Sequence, residues 1–104
     1  MKLKVSEVYR LFGQEYRGRD RSIRGVSTDS RTIKKGDLFI AIKGLNMDGH
    51  DFIQDAVKKG ASCVIASSGK NGIIVKDTVE AMARLAKYYA AKFRRLKVAS
   101  ITGS

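Results

Sequence analysis

Four consecutive residues, Thr28, Asp29, Ser30 and Arg31, set hydroxyls, a carboxylate and a guanidinium side by side ahead of a Gly36-Asp37 turn. Loop hydroxyls, exposed backbone N–H groups and one planar cation are the parts from which proteins hold a phosphate or diphosphate. The same residue types suit a self-contained turn in which Asp29 and Arg31 pair with neighbours, and residue type alone leaves both open. The single histidine, His50, lies between Asp48 and Asp51. Three ligands crowded into four loop residues are a weak metal signal, and the plainer expectation is a tight turn at Asp48-Gly49 with Asp51 capping a helix. Thr102-Gly103-Ser104 follows an apolar run, as the start of a phosphate-binding loop does, but without the Gly-Lys-Thr/Ser that such a loop needs to neutralise phosphates. No nucleophile stands in a recognisable pattern with a base, so no catalytic residue and no metal ligand is assigned.

Composition narrows the class. A chain of 104 residues supports one domain with one modest core. A hydrophobic fraction of 43% in period-coded runs argues against disorder. The net charge of +11 would suit a polyanion, which keeps a basic nucleic-acid-binding module as a second expectation. The bases are scattered, however, and no aromatic residues alternate with them as a base-stacking platform requires. A basic solvated surface and no nucleic-acid partner are therefore expected. Cys63, alone in an apolar run, is expected to be a buried structural thiol in a reducing cytoplasm. No run is long enough for a membrane span, and residues 1–4 lack a signal-peptide core.

The elements that must carry these loops can be read in outline. Ser6 is placed to cap a helix over 7–12, with Val8, Leu11 and Phe12 on one face and Gly13 as its stop. Residues 14–24 are polar and basic, an irregular or edge segment, and weak alternation over 24–28 suggests a short strand. The apolar run 38–42, bounded by glycines, predicts a strand buried on both faces. Asp51, with Gln54 three residues on, predicts a capped helix burying Phe52, Ile53, Ala56 and Val57 and ending at Gly60. Strands follow at 62–66 and 73–75, separated by the turn 67–72. Asp77 with Glu80 predicts the start of a long helix with Val79, Met82, Leu85, Ala86, Tyr89, Ala90 and Phe93 as its apolar stripe, and 98–101 predicts a last strand. The order implies an α/β fold, a small two-layer or three-layer mixed sheet with flanking helices.

These segments together resemble the N-terminal domain of the Mur ligase family, the ATP-dependent ligases that build the peptide stem of peptidoglycan. The resemblance rests on Val26-Ser27-Thr28-Asp29-Ser30-Arg31, Lys35-Gly36-Asp37-Leu38-Phe39-Ile40-Ala41, Lys43-Gly44 and Asp48-Gly49-His50-Asp51-Phe52. Lys59-Gly60-Ala61, Ile74-Val75-Lys76-Asp77-Thr78 and Ile101-Thr102-Gly103-Ser104 follow in the family's order. Val5-Ser6-Glu7-Val8, Val75-Lys76-Asp77-Thr78 and the Thr-Gly-Ser ending are most similar to the member that joins D-alanyl-D-alanine to UDP-N-acetylmuramoyl-tripeptide. The member adding the third amino acid shares the Asp-Ser-Arg and Gly-Asp-Leu-Phe segments.

The resemblance implies that residues 1–96 bind the UDP end of a UDP-N-acetylmuramoyl-peptide. Thr28, Asp29, Ser30, Arg31, Lys43, Gly44, Leu45 and Asn46 would line that site, with Asp48, Gly49 and His50 shaping its rim. Leu45 and Met47 stand where the family varies. Residues 97–104 would be the first strand and phosphate-loop start of an ATPase domain, with Thr102, Gly103 and Ser104 on the ATP side. The resemblance implies ATP and Mg²⁺ as cofactors of a parent cytoplasmic ligase, with D-alanyl-D-alanine as its second substrate. The 104-residue stretch by itself is expected to bind no cofactor and to catalyse nothing.

Overall fold

A computed structural model of the chain describes residues 2–102, with side-chain surroundings given through residue 96. The run 38–42 forms β4 (Leu38–Ile40), in which every residue is buried. Alternation sends Leu38 and Ile40 to one face and Phe39 and Ala41 to the other. In β5 (Cys63–Ala66), Cys63 and Ile65 join the first set and Val64 and Ala66 the second. β3 (Val26–Ser27) and β6 (Ile73–Ile74) complete a sheet of order β3-β4-β5-β6 in which every pairing is parallel. Parallel strands covered on both faces read as unbroken apolar runs, which is why 38–42 and 62–66 stand out in the sequence.

The first face lies under α1 (Val5–Leu11), α3 (Thr78–Thr102) and an antiparallel ribbon of β1 (Leu3–Lys4) with β2 (Ser22–Ile23). The second lies under α2 (Ile53–Lys58), through Ala56, with Ile33 and Phe52 beside it. The molecule is therefore a three-layer α/β domain, and the mixture of pairings is divided between a parallel sheet and a separate ribbon. Burial of Phe39 alone removes enough apolar surface to contribute about 2–3 kcal/mol. Burial pushes the Cys63 thiol up to about 12, so it stays protonated and packs as a small apolar group. Among the described residues no helix is long and apolar enough to cross a membrane.

Several local expectations are corrected. Ser6 lies inside the first turn of α1, and the cap comes from elsewhere. The Asp20 carboxylate accepts the Ser6 N–H at 3.0 Å and its hydroxyl at 2.7 Å. Asp51 does not cap α2. A 3₁₀ turn, Gly49–Phe52, precedes that helix, and Asp48 caps it by accepting the His50 N–H at 3.0 Å. Val57, Val79 and Phe93 are half exposed. Met82, Leu85 and Tyr89 pack on the core as the stripe requires, Ala86 and Ala90 are exposed, and the inner face also takes in Ala81, Tyr88 and Lys92, the last two through polar contacts. Asp77 does cap α3, accepting from Val79 and Glu80 at 2.9 and 3.1 Å.

The strand expected at 98–101 is instead the continuation of α3, which runs through Thr102. A helix extends by bonds within its own segment, whereas a strand needs a neighbouring edge, and no described strand pairs with these residues. Thr102 is thus helical rather than the opening of a phosphate loop, and Gly103 and Ser104 lie outside the described residues.

Two contacts close the architecture. The Gln14 amide donates to the Ile74 carbonyl at 2.7 Å and accepts its N–H at 3.3 Å, which blunts the outer edge of β6. Glu7 ties α1 to α3. Its carboxylate accepts from Lys92 at 2.8 and 2.7 Å and from the Tyr88 hydroxyl. Burial pushes this carboxyl up, but the Lys92, Tyr88 and Lys4 hydrogen bonds outweigh burial and hold it below its ordinary value of 4.5. A lowered folded-state value adds stability that is complete above about pH 5 and is lost as pH falls through that value. Glu7→Gln should therefore cost about 1–3 kcal/mol in urea melts at pH 7, with the difference from wild type shrinking below about pH 4; a pH-independent difference would contradict the network.

The six-residue link between β5 and β6 turns at Gly72, where φ is +87° and an added Cβ would lie 2.3 Å from the Val64 carbonyl oxygen. Gly69 shares the left-handed backbone, φ +98°, but has open space around it. Gly69→Ala should cost about 1–2 kcal/mol, the backbone penalty alone, and Gly72→Ala clearly more in the same denaturation assay. Equal costs would show that the close approach to Val64 is not constraining.

Candidate functional site

The loops leaving the carboxyl ends of β3 and β4 meet around a cleft of about 350 Å³. Parallel sheets gather ligands at this edge, because the loops there diverge while the strands hold their roots. One wall is polar, residues 28–31. The opposite wall is apolar, formed by Ile42, Met47 and Phe52, and Gly44 and Gly49 complete the lining.

The polar wall is a tightly self-bonded turn. Ser27 Oγ accepts the Asp29 N–H at 3.1 Å and donates to the Asp29 carbonyl at 2.9 Å. The Arg31 N–H donates to Asp29 Oδ1 at 2.9 Å, and its guanidinium grips the same carboxylate, with Nη2 at 2.8 Å from Oδ2. The Arg31 fork is the main reason the Asp29 carboxyl sits below its usual range, and the carboxylate in turn raises Arg31. The internal Asp29–Arg31 pair expected of a self-contained turn is formed, while the guanidinium stays largely exposed to solvent. The hydroxyls of Thr28 and Ser30, in contrast, have no hydrogen-bond partner among the described residues. Ser30 is 5% exposed and no buried side-chain polar atom lacks a partner, so its hydroxyl opens on the cleft.

The second loop is a small hairpin. Lys43 and Asp48 pair as an antiparallel bridge, and the Gly44 N–H donates to the Met47 carbonyl at 2.7 Å. This lifts Leu45 and Asn46 to the tip, Leu45 being fully exposed. Of the residues singled out from the sequence, Thr28, Asp29, Ser30, Arg31, Gly44 and Gly49 line the cleft, and Lys43, Leu45, Asn46, Asp48 and His50 do not. Ile42 and Phe52 line it unannounced. Their apolar character looked like strand end and helix face, and only their position one step from a polar loop hinted otherwise.

Asp48 and His50 hold the hairpin's return in place. The His50 Nδ1 lies 2.6 Å from Asp48 Oδ1, while its Nε2 accepts the Ser67 N–H at 2.9 Å, with the Ser67 hydroxyl 3.0 Å away. Acceptance at Nε2 puts the ring proton on Nδ1, where it donates to Asp48. The Asp48 carboxyl is held below its usual range by the His50 N–H and ring. Gly49 completes the return: a Cβ there would lie 2.7 Å from the Ile42 nitrogen. Both ring nitrogens being used internally, His50 offers nothing to a metal, and no described group of three His, Cys, Asp or Glu residues could hold one. Nitrogen-15 spectra of neutral His50 should show the Nδ1–H tautomer in wild type; an Nε2–H signal would contradict the link to Ser67.

A model of the Mur ligase family, catalytic domain, matches residues 22–100. The chain is 41% identical over 92 residues to the UDP-N-acetylmuramoyl-L-alanyl-D-glutamate--2,6-diaminopimelate ligase of Syntrophomonas wolfei, covering 82% of this chain and 19% of that one. It is 46% identical over 85 residues to the UDP-N-acetylmuramoyl-tripeptide--D-alanyl-D-alanine ligase of Rickettsia prowazekii, covering 76% and 18%. Its fold superposes on the MurF ligase of Thermotoga maritima in complex with ADP, with a TM-score of 0.63 and 33% identity over 66% of this chain and 17% of that one. For MurF of Acinetobacter baumannii the TM-score is 0.65, with 26% identity over 78% and 19%. The chain spans about a fifth of the length of these relatives. Sequence and fold agree, and the chain belongs to the Mur ligase family.

Proposed function

We propose that this chain anchors the UDP end of a UDP-N-acetylmuramoyl-peptide for an ATP-dependent Mur ligase of peptidoglycan precursor synthesis. We further propose that the parent enzyme joins D-alanyl-D-alanine to UDP-N-acetylmuramoyl-tripeptide. The observation that carries the anchoring role is the cleft itself, with one wall of unpaired hydroxyls and one of apolar side chains, at the ligand-gathering edge of the sheet. Such walls suit a nucleoside, its ring against Phe52, Ile42 and Met47 and its polar edge toward Ser30 and Thr28. The diphosphate would then lie at the mouth, near Arg31.

The contribution is positional: a substrate held at its UDP end presents its far carboxylate in a defined place. The carboxylate activation that ATP and Mg²⁺ supply in the parent ligase is assigned to no residue of this chain. The relatives support two products. Identity of 46% to a D-alanyl-D-alanine ligase favours the first, and 41% identity over a longer stretch to a 2,6-diaminopimelate ligase favours a parent that adds the third amino acid instead. Assay of the full-length enzyme with each acceptor separates them. A nucleic-acid module gains no support from the cleft, whose one basic lining residue, Arg31, is already paired.

Calorimetry with UDP should show saturable binding. Ser30→Leu should weaken it about tenfold or more by filling the cleft, and Arg31→Ala only about threefold, because that cation is already paired with Asp29. A folded chain that takes up no UDP at millimolar concentration would overturn the anchoring role.

A further inference from the structure

In the sequence Lys58-Lys59 looks like a pair of cations complementing the negative end of α2. In the structure Lys59, the C-cap residue of α2, turns its side chain toward the β3–β4 loop. Its ammonium group donates to the Ser30 carbonyl at 2.9 Å and lies 3.4 Å from Asp55 Oδ2. Lys59 and Ser30 are 29 residues apart and belong to separate crossovers of the sheet. Among the described residues the Ser30 carbonyl has no other hydrogen-bond partner, and Ser30 itself is buried. Removing the ammonium group would therefore leave that carbonyl without a protein partner at a half-buried position.

We infer that Lys59 is a positioning residue of the cleft, acting on the bound nucleotide through Ser30. Holding the carbonyl fixes the peptide plane that follows Ser30, and with it the backbone from which this lining residue of the cleft projects. Asp55, one turn earlier on α2, steers the ammonium group from the side. Lys59 also places a positive charge behind the loop, where its field helps hold Asp29 ionised. The loop's own cation, Arg31, is spent on Asp29, so Lys59 is the group from a different element that fixes the polar wall.

The inference rests on the nucleotide reading of the cleft, and the test keeps the two apart. Hydrogen exchange on the ligand-free chain comes first. Lys59→Met, which keeps the stem and loses the donor, should speed exchange of the Arg31 and Thr32 amides about tenfold while β4 and β5 amides stay protected. Lys59→Arg, with its donors kept, should restore slow exchange. UDP titration follows. Lys59→Met should weaken binding about fivefold, but less than about twofold when Ser30 is already alanine, because the two act as one unit. Unchanged exchange and affinity in Lys59→Met, failure of the arginine variant to restore them, or fully additive losses with Ser30→Ala would overturn the inference. If wild type takes up no UDP, the nucleotide reading fails, and the exchange comparison alone decides whether Lys59 fixes the loop.

Discussion

Leu38 and Phe39 pair with parallel strands on both edges, Ile40 pairs with β5, and the strand faces apolar layers on both sides. That double confinement leaves β4 no freedom in register or direction, since a slip of one residue would exchange its two faces. The chain must therefore leave the sheet at Ala41 and pass directly into the hairpin. A short turn from β3 and a helical crossover to β5 must start from the same edge. The cleft exists because these exits diverge from strands that cannot move.

The polar groups at that edge obey a second constraint. Loops so close to a buried sheet must satisfy their own backbone, and they do so with side chains. Ser27 and Asp29 close the first turn, Asp48 and His50 the second, and Ser67 and Lys59 tie the two crossovers in. Of residues 27–31, only Thr28 and Ser30 keep side chains without a hydrogen-bond partner among the described residues, and both line the cleft. Arg31 is paired with Asp29 within its own turn, with its guanidinium still open to solvent.

The sequence announces what local pattern can encode. Runs such as 38–42 and 62–66 declare doubly buried strands, Gly60 declares a helix end, and Asp77 declares a cap. Contacts between distant residues leave no such trace. Asp20 caps α1 from 14 residues away, His50 reaches Ser67 across 17, and Lys92 completes the inner stripe of α3 by finding Glu7 rather than by being apolar. The site follows the same division. Residues 28–31 were legible by type, whereas Phe52 and Ile42 were hidden because an apolar wall of a cleft and an apolar wall of a core are spelled alike. The hairpin tip was assigned to the site through family resemblance, and the fold carries Leu45 and Asn46 past the cleft rather than into it.

The central claim is that a nucleoside diphosphate sits between the 28–31 loop and Phe52. Its most direct measurement is nuclear Overhauser contact between UDP and the isotope-labelled chain. The account predicts contacts from uracil H5 and H6 to the Phe52 ring and the Met47 and Ile42 methyl groups, with the largest amide shifts at Ser30 and Gly49. Contacts confined to the other side of the sheet, such as the groove of about 380 Å³ beside Leu3, Ser22 and Leu96, would contradict it.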